Sequence, residues 1–404
     1  MVYIYRKLEK TLKKYMDRKE ILAVIGPRQA GKTTLIKHIL QDYKNVNYIN
    51  FDDINKKTLF IENIDAFITQ NIEPFDYVFI DEIQYVQDAG QKLKFIYDTQ
   101  KTKLIISGSS ATEVSISSLK YLVGRVFIYH LYPLSLEEFL NYKNKNLLET
   151  IKKSKSYKSL HNFFKPLLEE YIIYGGYPSV VIAKTNEEKK TILKNIYNTF
   201  FLREIKEIFF IKDDYKLVKL LKALSLQIGN IINYQELSSI TDFSVKELKE
   251  HMSILNKTFV CQEAFNFNTN KRNELKKSPK IFFIDTGLRN TIINNFFNER
   301  SDMGALNENL VAQEIIKKEI DLLYWRTQSK AEVDFIIEKE GKIIPIEVKS
   351  NLKKSVLGKS LFSFIEHYKS EKVIVISNEY ENKRKIKNSE ILFIPFVKFP
   401  FIKL

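Results

Sequence analysis

Cysteine is nearly absent: Cys261 is the single thiol in 404 residues. No disulfide can close within the chain, which excludes a disulfide scaffold and fits a reducing compartment. Long apolar runs are missing too. No stretch approaches the roughly 18 residues that a membrane-crossing helix needs. Glycine (12) and proline (9) are sparse, which excludes collagen-like and low-complexity classes. Arginine is rare as well: ten of the 64 basic residues, the other 54 being lysine. The opening Met1–Arg6 segment lacks the apolar core and small-residue cleavage site of a secretory leader. A cytoplasmic protein with no membrane association is therefore expected.

What is present is an ordinary globular composition, 44% hydrophobic and 28% charged, long enough for two to four domains. The formal net charge of +15 favours anionic partners such as nucleotides or DNA. The competing reading is a solvated surface, because Lys, Asn and Ile are all abundant, as an AT-rich coding bias produces. The scarcity of arginine has a further use: an Arg in a loop of this chain is less readily filler.

Apolar runs at Ile21–Ile25, Val46–Phe51, Tyr77–Ile80, Leu104–Ser107 and Val126–Leu131 alternate with helical stretches. This rhythm predicts an α/β domain with a mostly parallel sheet. Residues 141–160 form a Lys-rich polar stretch that suits a linker, and residues 160–295 read as mainly helical. From about residue 305 the pattern is helix, strands at 323–328, 332–338 and 343–349, a helix at 358–368, then strands at 372–377 and 391–396. The expected division is residues 1–145, 146–215, 216–295 and 296–404.

Gly26-Pro-Arg-Gln-Ala-Gly31-Lys32-Thr33-Thr34 satisfies G-x-x-x-x-G-K-[ST]. It follows an apolar strand and opens a helix, the context in which backbone N–H groups and the helix N-terminus cradle phosphates. Gly26, Pro27, Arg28, Gln29, Ala30, Gly31, Lys32, Thr33 and Thr34 are thus expected nucleotide-binding residues. Lys32 would reach the β- and γ-phosphates and Thr33 would hold Mg²⁺. The strand Tyr77–Ile80 ends in Asp81 and Glu82; Asp81 suits the Mg²⁺ shell and Glu82 suits activation of the attacking water. Ser107 or Ser109, after a further strand, would meet the γ-phosphate or water, or else form a serine-rich turn. Arg125 would stabilise transferred charge in its own chain or a neighbour, or form a surface ion pair. Arg28 has a neighbouring carboxylate as a second expected partner.

Gly26–Thr34, Asp81-Glu-Ile-Gln84, Ser107-Gly-Ser-Ser110, Gly124-Arg125 and Tyr132-Pro-Leu-Ser-Leu-Glu-Glu-Phe139 together resemble a widespread prokaryotic AAA+ ATPase family. The resemblance continues through Gly175-Gly-Tyr-Pro178, Lys280–Leu288 and Gly304–Leu310, so it covers nearly the whole chain. It implies an α/β multidomain architecture: a P-loop AAA+-type parallel sheet in 1–145, a helical linker or lid in 146–215, a winged-helix-like 216–295 and a restriction-endonuclease-like 296–404. It implies ATP rather than GTP, and no guanine-reading N-K-x-D follows the phosphate loop. It implies no known physiological role.

In the middle, Asn233–Ile240 and Ser244–Ile254 read as two helices with a short connection, Ser244 capping the second with Glu247 three residues on. With a strand at Phe259–Phe265 they suggest a winged helix-turn-helix. Lys271–Lys280 holds five basic residues and one Glu, a basic wing for DNA phosphates. The second helix carries Lys246, Glu247, Lys249 and Glu250 and is nearly neutral, so a lid on the ATPase is the competing role.

A second site is expected where Ala331-Glu-Val-Asp334 precedes Ile343-Ile-Pro-Ile-Glu347-Val-Lys349. Glu347 and Lys349 are two apart on a strand and share a face. The pattern resembles the D-x(n)-E-x-K core of restriction-endonuclease-like nucleases. Asp334, Glu347 and the Val348 carbonyl would hold Mg²⁺, Glu308 from the preceding helix would complete the set, and Lys349 would activate water. Gln328 would position a loop or substrate. A solvated strand with alternating charges is the competing reading. The function these residues predict is Mg²⁺-dependent ATP hydrolysis linked to DNA binding or processing by a nuclease-like domain. The alternative is an ATP-dependent switch or scaffold, in defence or stress signalling, with a silent nuclease-like domain. A homo-oligomer suits either reading. A helicase or translocase ranks last, because no second set of helicase motifs is visible.

Overall fold

The structure is a computed structural model that describes residues 2–86, 88–109, 119–153, 157, 159–199, 214–274 and 277–404. Ser110, and parts of the Lys-rich stretch and of the basic segment Lys271–Lys280, lie outside those residues.

The N-terminal sheet is built from β1 (Ile21–Ile25), β2 (Val46–Asn50), β3 (Tyr77–Asp81), β4 (Lys103–Gly108) and β5 (Val126–His130). All pairings are parallel, in the order β2-β3-β4-β1-β5. β1 and β4 are buried along their whole length, because helices cover both faces of the central strands. The edge strands β2 and β5 keep Tyr48 and Ile128 in solvent. This is the P-loop AAA+ α/β fold, and the strands fall on the apolar runs of the sequence. The phosphate loop leaves the C-terminal end of β1, at the centre of the sheet.

A helical stretch follows: Leu136–Lys143, opened by a capping box of Ser135 and Glu138, then Lys145–Lys153, His161–Tyr174, Pro178–Ile182 and Asn186–Ile196. Farther on, helices Asp214–Leu226, Tyr234–Thr241 and Val245–Lys257 precede β6 (Cys261–Asn266) and β7 (Lys280–Phe283). Ser244 and Glu247 form the capping box read from the sequence.

The second sheet is mixed and eight-stranded, in the order β12-β13-β11-β10-β9-β8-β6-β7. Its other members are β8 (Leu323–Arg326), β9 (Glu332–Lys339), β10 (Lys342–Val348), β11 (Lys372–Ser377), β12 (Asn382–Ile386) and β13 (Ser389–Pro395). β6 pairs in parallel with β8, and Phe265 N donates to Leu322 O at 3.0 Å. One sheet therefore runs across the 295/296 division drawn from the sequence. β12 is an addition to the sequence reading: Asn-Lys-Arg-Lys-Ile is mostly exposed and has no apolar alternation, as suits a charged edge strand.

Buried polar bonds join the helical stretch after the first sheet to the elements that flank the second. Glu314, on helix Met303–Ile316, accepts from Leu136 N at 2.9 Å and from the Tyr171 hydroxyl at 3.0 Å. The Lys317 ammonium donates to Leu134 O at 3.0 Å and to the Tyr171 oxygen at 2.9 Å. Asp285 accepts from Gly176 N at 2.7 Å. Among the described residues, no helix is long and apolar enough to cross a membrane.

Candidate functional site

The phosphate loop wraps the end of β1. A side chain at Gly26 would place a Cβ 2.1 Å from Leu131 O, so only glycine fits there. Gly31 caps helix Lys32–Leu40 at φ 95°, and Gln29 sits at φ 60°. The alternation of left-handed residues turns successive N–H groups inward, the geometry of an anion nest. Lys32 is buried and donates to Gly26 O at 2.8 Å and Pro27 O at 3.0 Å. Its ammonium thus spans the loop that it would serve.

Parallel pairing sets β3 two strands from β1 and brings Asp81 to the loop. Its Oδ2 accepts from the Thr33 hydroxyl at 2.7 Å and from the Tyr48 hydroxyl at 3.2 Å. Its Oδ1 accepts from the Ser107 hydroxyl and, at 3.1 Å, from Glu82 N. Thr33 and Asp81 are both hard oxygen donors, a set that fits Mg²⁺. Burial, and then the Asp81 charge, raise the Tyr48 phenol above its ordinary range. Glu82 adopts φ 58°, a conformation that non-glycine residues hold only where the surroundings impose it. Gln84 fixes it there, donating to the Glu82 carboxylate while its own carbonyl accepts from Ser109 N at 3.1 Å.

Several sequence expectations change here. Ser107, rather than Ser109, brings its hydroxyl to Asp81; Ser109 supplies a backbone N–H to Gln84. Arg28 Nη2 donates at 2.5 Å to the Tyr85 hydroxyl, a partner not read from the sequence. Arg125 lies at the other end of the sheet. Its carbonyl accepts from Ile21 N, at the start of β1, and its guanidinium grips Asp98 at 2.8 and 3.3 Å. Five strand residues, about 16 Å of rise, separate that end from the phosphate loop. A role for Arg125 at its own chain's phosphates is thereby overturned.

Other residues belong to the site without having been singled out. Arg6 donates to Ala30 O at 2.7 Å and Tyr132 O at 2.5 Å, and pairs with Glu138 at 3.3 Å. It braces the loop from behind. Its rarity as a residue type was the signal available in the sequence. A cavity of about 580 Å³ opens beside Gly31, Lys32 and Thr33; it is walled by Val2, Tyr3 and Ile4 on one side and by Pro178, Ser179 and Ile182 on the other. Gly175-Gly-Tyr-Pro178 stands some 150 residues from the loop, so no local spacing could reveal this wall.

The second site lies on the central strands β9 and β10, at the edge that strand ends form along one side of the eight-stranded sheet. Leu323 pairs with Ile336 and Trp325 with Val333, so two residues of β9, Asp334 and Phe335, face the single Tyr324 of β8. The resulting bulge contains Asp334 and re-aims it, as bulges beside functional sites do. Asp334 Oδ2 accepts from Val348 N at 2.7 Å. Glu347 is 7% exposed; its Oε1 lies 2.7 Å from Lys349 Nζ, and its buried Oε2 makes no hydrogen bond. Burial, and then Asp334, push the Glu347 carboxyl up to about 7 and that of Glu308 up to about 8. Burial raises Asp334 as well. Lys280, from β7, pairs with Glu332 and offsets part of the rise at Glu308. Gln328 is exposed in the β8–β9 turn.

Among the described residues, no group of three or more His, Cys, Asp or Glu is assembled to hold a metal ion. The expected three-carboxylate set of Glu308, Asp334 and Glu347 is therefore not formed. Asp334 gives one oxygen to the backbone, and Glu347 gives one to Lys349. The unbonded Glu347 Oε2 remains as a donor, and Mg²⁺ is held elsewhere by one or two carboxylates plus water.

Residues 18–140 match a family described as an AAA domain; residues 165–299 and 303–398 match two domains of unknown function, DUF8612 and DUF4143. The chain thus carries an AAA-type P-loop ATPase domain. An uncharacterised protein of Haemophilus influenzae is 25% identical over 399 residues, covering 94% of each chain. An uncharacterised protein of Methanocaldococcus jannaschii is 26% identical over 342 residues, covering 80% of this chain and 73% of that one. Among solved structures, a Walker-type ATPase of Pyrococcus abyssi is similar at 13% identity and a TM-score of 0.49, covering 72% of this chain and 96% of that one.

Proposed function

We propose that this protein hydrolyses ATP with Mg²⁺ in its N-terminal domain and links that cycle to DNA binding or processing at its C-terminal acidic site. One observation carries the reading: Asp81 joins Thr33 of the phosphate loop, while Glu82 beside it adopts a left-handed conformation and its carboxylate is held by Gln84. A chain that only bound nucleotide would have no use for a strained, positioned carboxylate at that point.

The roles follow from the geometry. Inward N–H groups of Gln29–Thr33 receive phosphate oxygens, and Lys32 exchanges its carbonyl partners for them. Thr33 and Asp81 would hold Mg²⁺, which when bound neutralises phosphate charge. Glu82 orients the attacking water and accepts its proton. The cavity wall from Val2–Ile4 to Pro178–Ile182 suits the nucleoside. Arg125 is held in a surface ion pair with Asp98, and a homo-oligomer would let it leave that pair for a neighbour's phosphates.

At the second site, Asp334 and Glu347 would hold Mg²⁺, which when bound polarises a phosphodiester. Lys349 stands 2.7 Å from Glu347 and holds a positive charge for a scissile phosphate. The incomplete carboxylate set favours a second reading, a nucleotide-driven switch that binds DNA without cutting it. Incubating the protein with supercoiled and branched DNA, Mg²⁺ or Mn²⁺, with and without ATP, separates the two. Cleavage that Glu347→Ala and Lys349→Ala both abolish, and Lys32→Ala does not, supports the nuclease. Intact DNA under every metal, with ATP turnover retained, supports the switch.

A further inference from the structure

The strand registers gather three basic loops at the edge that carries the second site. β9 starts at Glu332, paired with Arg326 at the end of β8. β10 ends at Val348, bonded to Asp334 near the start of β9. β6 runs parallel to β8, and Lys280 at the start of β7 meets Glu332. The connection between β6 and β7, the β8–β9 turn and the loop after β10 all open on this edge. They contribute Lys277, Lys330, and Lys349, Lys353 and Lys354 respectively, every one exposed.

Lys277 is tied to the edge by a 3.0 Å bond to Arg326 O. The loop after β10 is pinned by Ser355, whose hydroxyl meets Tyr380 at 2.7 Å and whose carbonyl accepts from Arg384 at 3.1 Å. Lys330, Lys353 and Lys354 have no ion-pair partner among the described residues. The acids nearby are engaged: Glu332 with Lys280, Glu274 with Lys271, Glu381 with Lys398. Helix Val245–Lys257, the helix that a winged helix places in the major groove, carries Lys246, Lys249 and Lys257 against Glu247 and Glu250, an excess of one charge.

We propose that this sheet edge is a duplex-DNA backbone cradle, and that helix Val245–Lys257 takes no part in it. From β7 to β10 the edge spans four strand spacings, about 19 Å. That exceeds the roughly 12 Å width of the major groove, so cations at its two ends reach both backbones. The inference rests on the DNA reading above and deepens it by naming the surface. Contact with phosphates alone makes the binding independent of sequence and strongly salt-dependent.

The test is titration of a random-sequence DNA duplex against the full chain in EDTA over a range of salt, so that neither cleavage nor ATP turnover enters. Lys353→Glu/Lys354→Glu and Lys277→Glu/Lys330→Glu are each expected to weaken binding about tenfold or more. Each is expected to reduce the salt slope by about 2, the loss of two phosphate contacts. Lys246→Glu/Lys249→Glu is expected to bind within about twofold of wild type. Matching melting curves confirm folding, and Lys353→Ala/Lys354→Ala gives the same direction with a milder change. Wild-type affinity in the edge variants overturns the proposal, as does a loss confined to the Lys246/Lys249 variant. Tighter binding of single-stranded RNA than of duplex DNA overturns the partner class. ATP turnover, measured separately, decides the ATPase reading whichever result is found.

Discussion

Asp81 receives hydrogen bonds from Thr33, Tyr48, Ser107 and the Glu82 amide, and the chemistry of the first site turns on that convergence. Glu82→Gln keeps the shape and the bond capacity toward Gln84 but removes the base. It is expected to bind ATP as wild type and to lower turnover by about 10²–10⁴-fold, read by nucleotide binding and phosphate release together. Gln84→Ala leaves Glu82 chemically intact and only frees its orientation. Its turnover is expected to fall by about tenfold with KM little changed, because positioning acts on the chemical step. An unchanged kcat in Gln84→Ala would show that the Glu82–Gln84 bond does not matter in solution. The phosphate loop and the Asp81-Glu82 pair were legible because their chemistry sits in consecutive residues. Arg6, Tyr48 and Pro178 were not, because each reaches the site only through the sheet order or the packing of a distant helix.

At the scale of elements, the strands of the first sheet were readable as apolar runs because their helices cover both faces. β12 was not, since a charged edge strand carries no apolar signature. The bulge at Asp334 was equally hidden: the sequence shows an acid on a strand, and only the pairing of β8 with β9 shows that it has been turned. Helix Thr286–Ile292 shows how burial of charge is managed. Arg289 is 1% exposed and lies 2.7 Å from Asp302, which Arg300 also holds. Burial alone would raise the Asp302 carboxyl, yet Arg300 and Arg289 hold it down at about 2. Asp302→Ala strands a buried guanidinium and is expected to cost about 3–5 kcal/mol in urea unfolding. A carboxyl depressed in the folded state stabilises it above the unfolded pKa near 3.9. That contribution is lost as pH falls through about 2. The gap between wild type and Asp302→Ala is therefore expected to narrow on acidification below about pH 4, and a gap constant with pH would reject the ionic account.

Across the whole molecule, the two sites are joined by buried polar contacts rather than by a linker. Asp285 follows β7, which carries Lys280 at the second site, and it clamps Gly176, two residues before Pro178 of the nucleotide cavity. Glu314 bonds Leu136 and Tyr171 from the helix that bears Glu308. Asp285→Ala leaves the buried Gly176 and Leu288 amides without their acceptor, at about 1–3 kcal/mol for each. It is expected to lower the melting temperature and to weaken any effect of DNA on ATP turnover. Neither the 295/296 continuity of the sheet nor this clamp was legible in the sequence, because both are contacts between segments more than a hundred residues apart or strands with no shared motif.

The most direct test of the account is steady-state ATP hydrolysis with Mg²⁺, with and without duplex DNA, in wild type, Lys32→Ala and Glu82→Gln. The account predicts turnover in wild type that changes when DNA is added, and none above background in either variant. Turnover that survives Glu82→Gln, or wild-type turnover indifferent to DNA at every salt concentration, would contradict it.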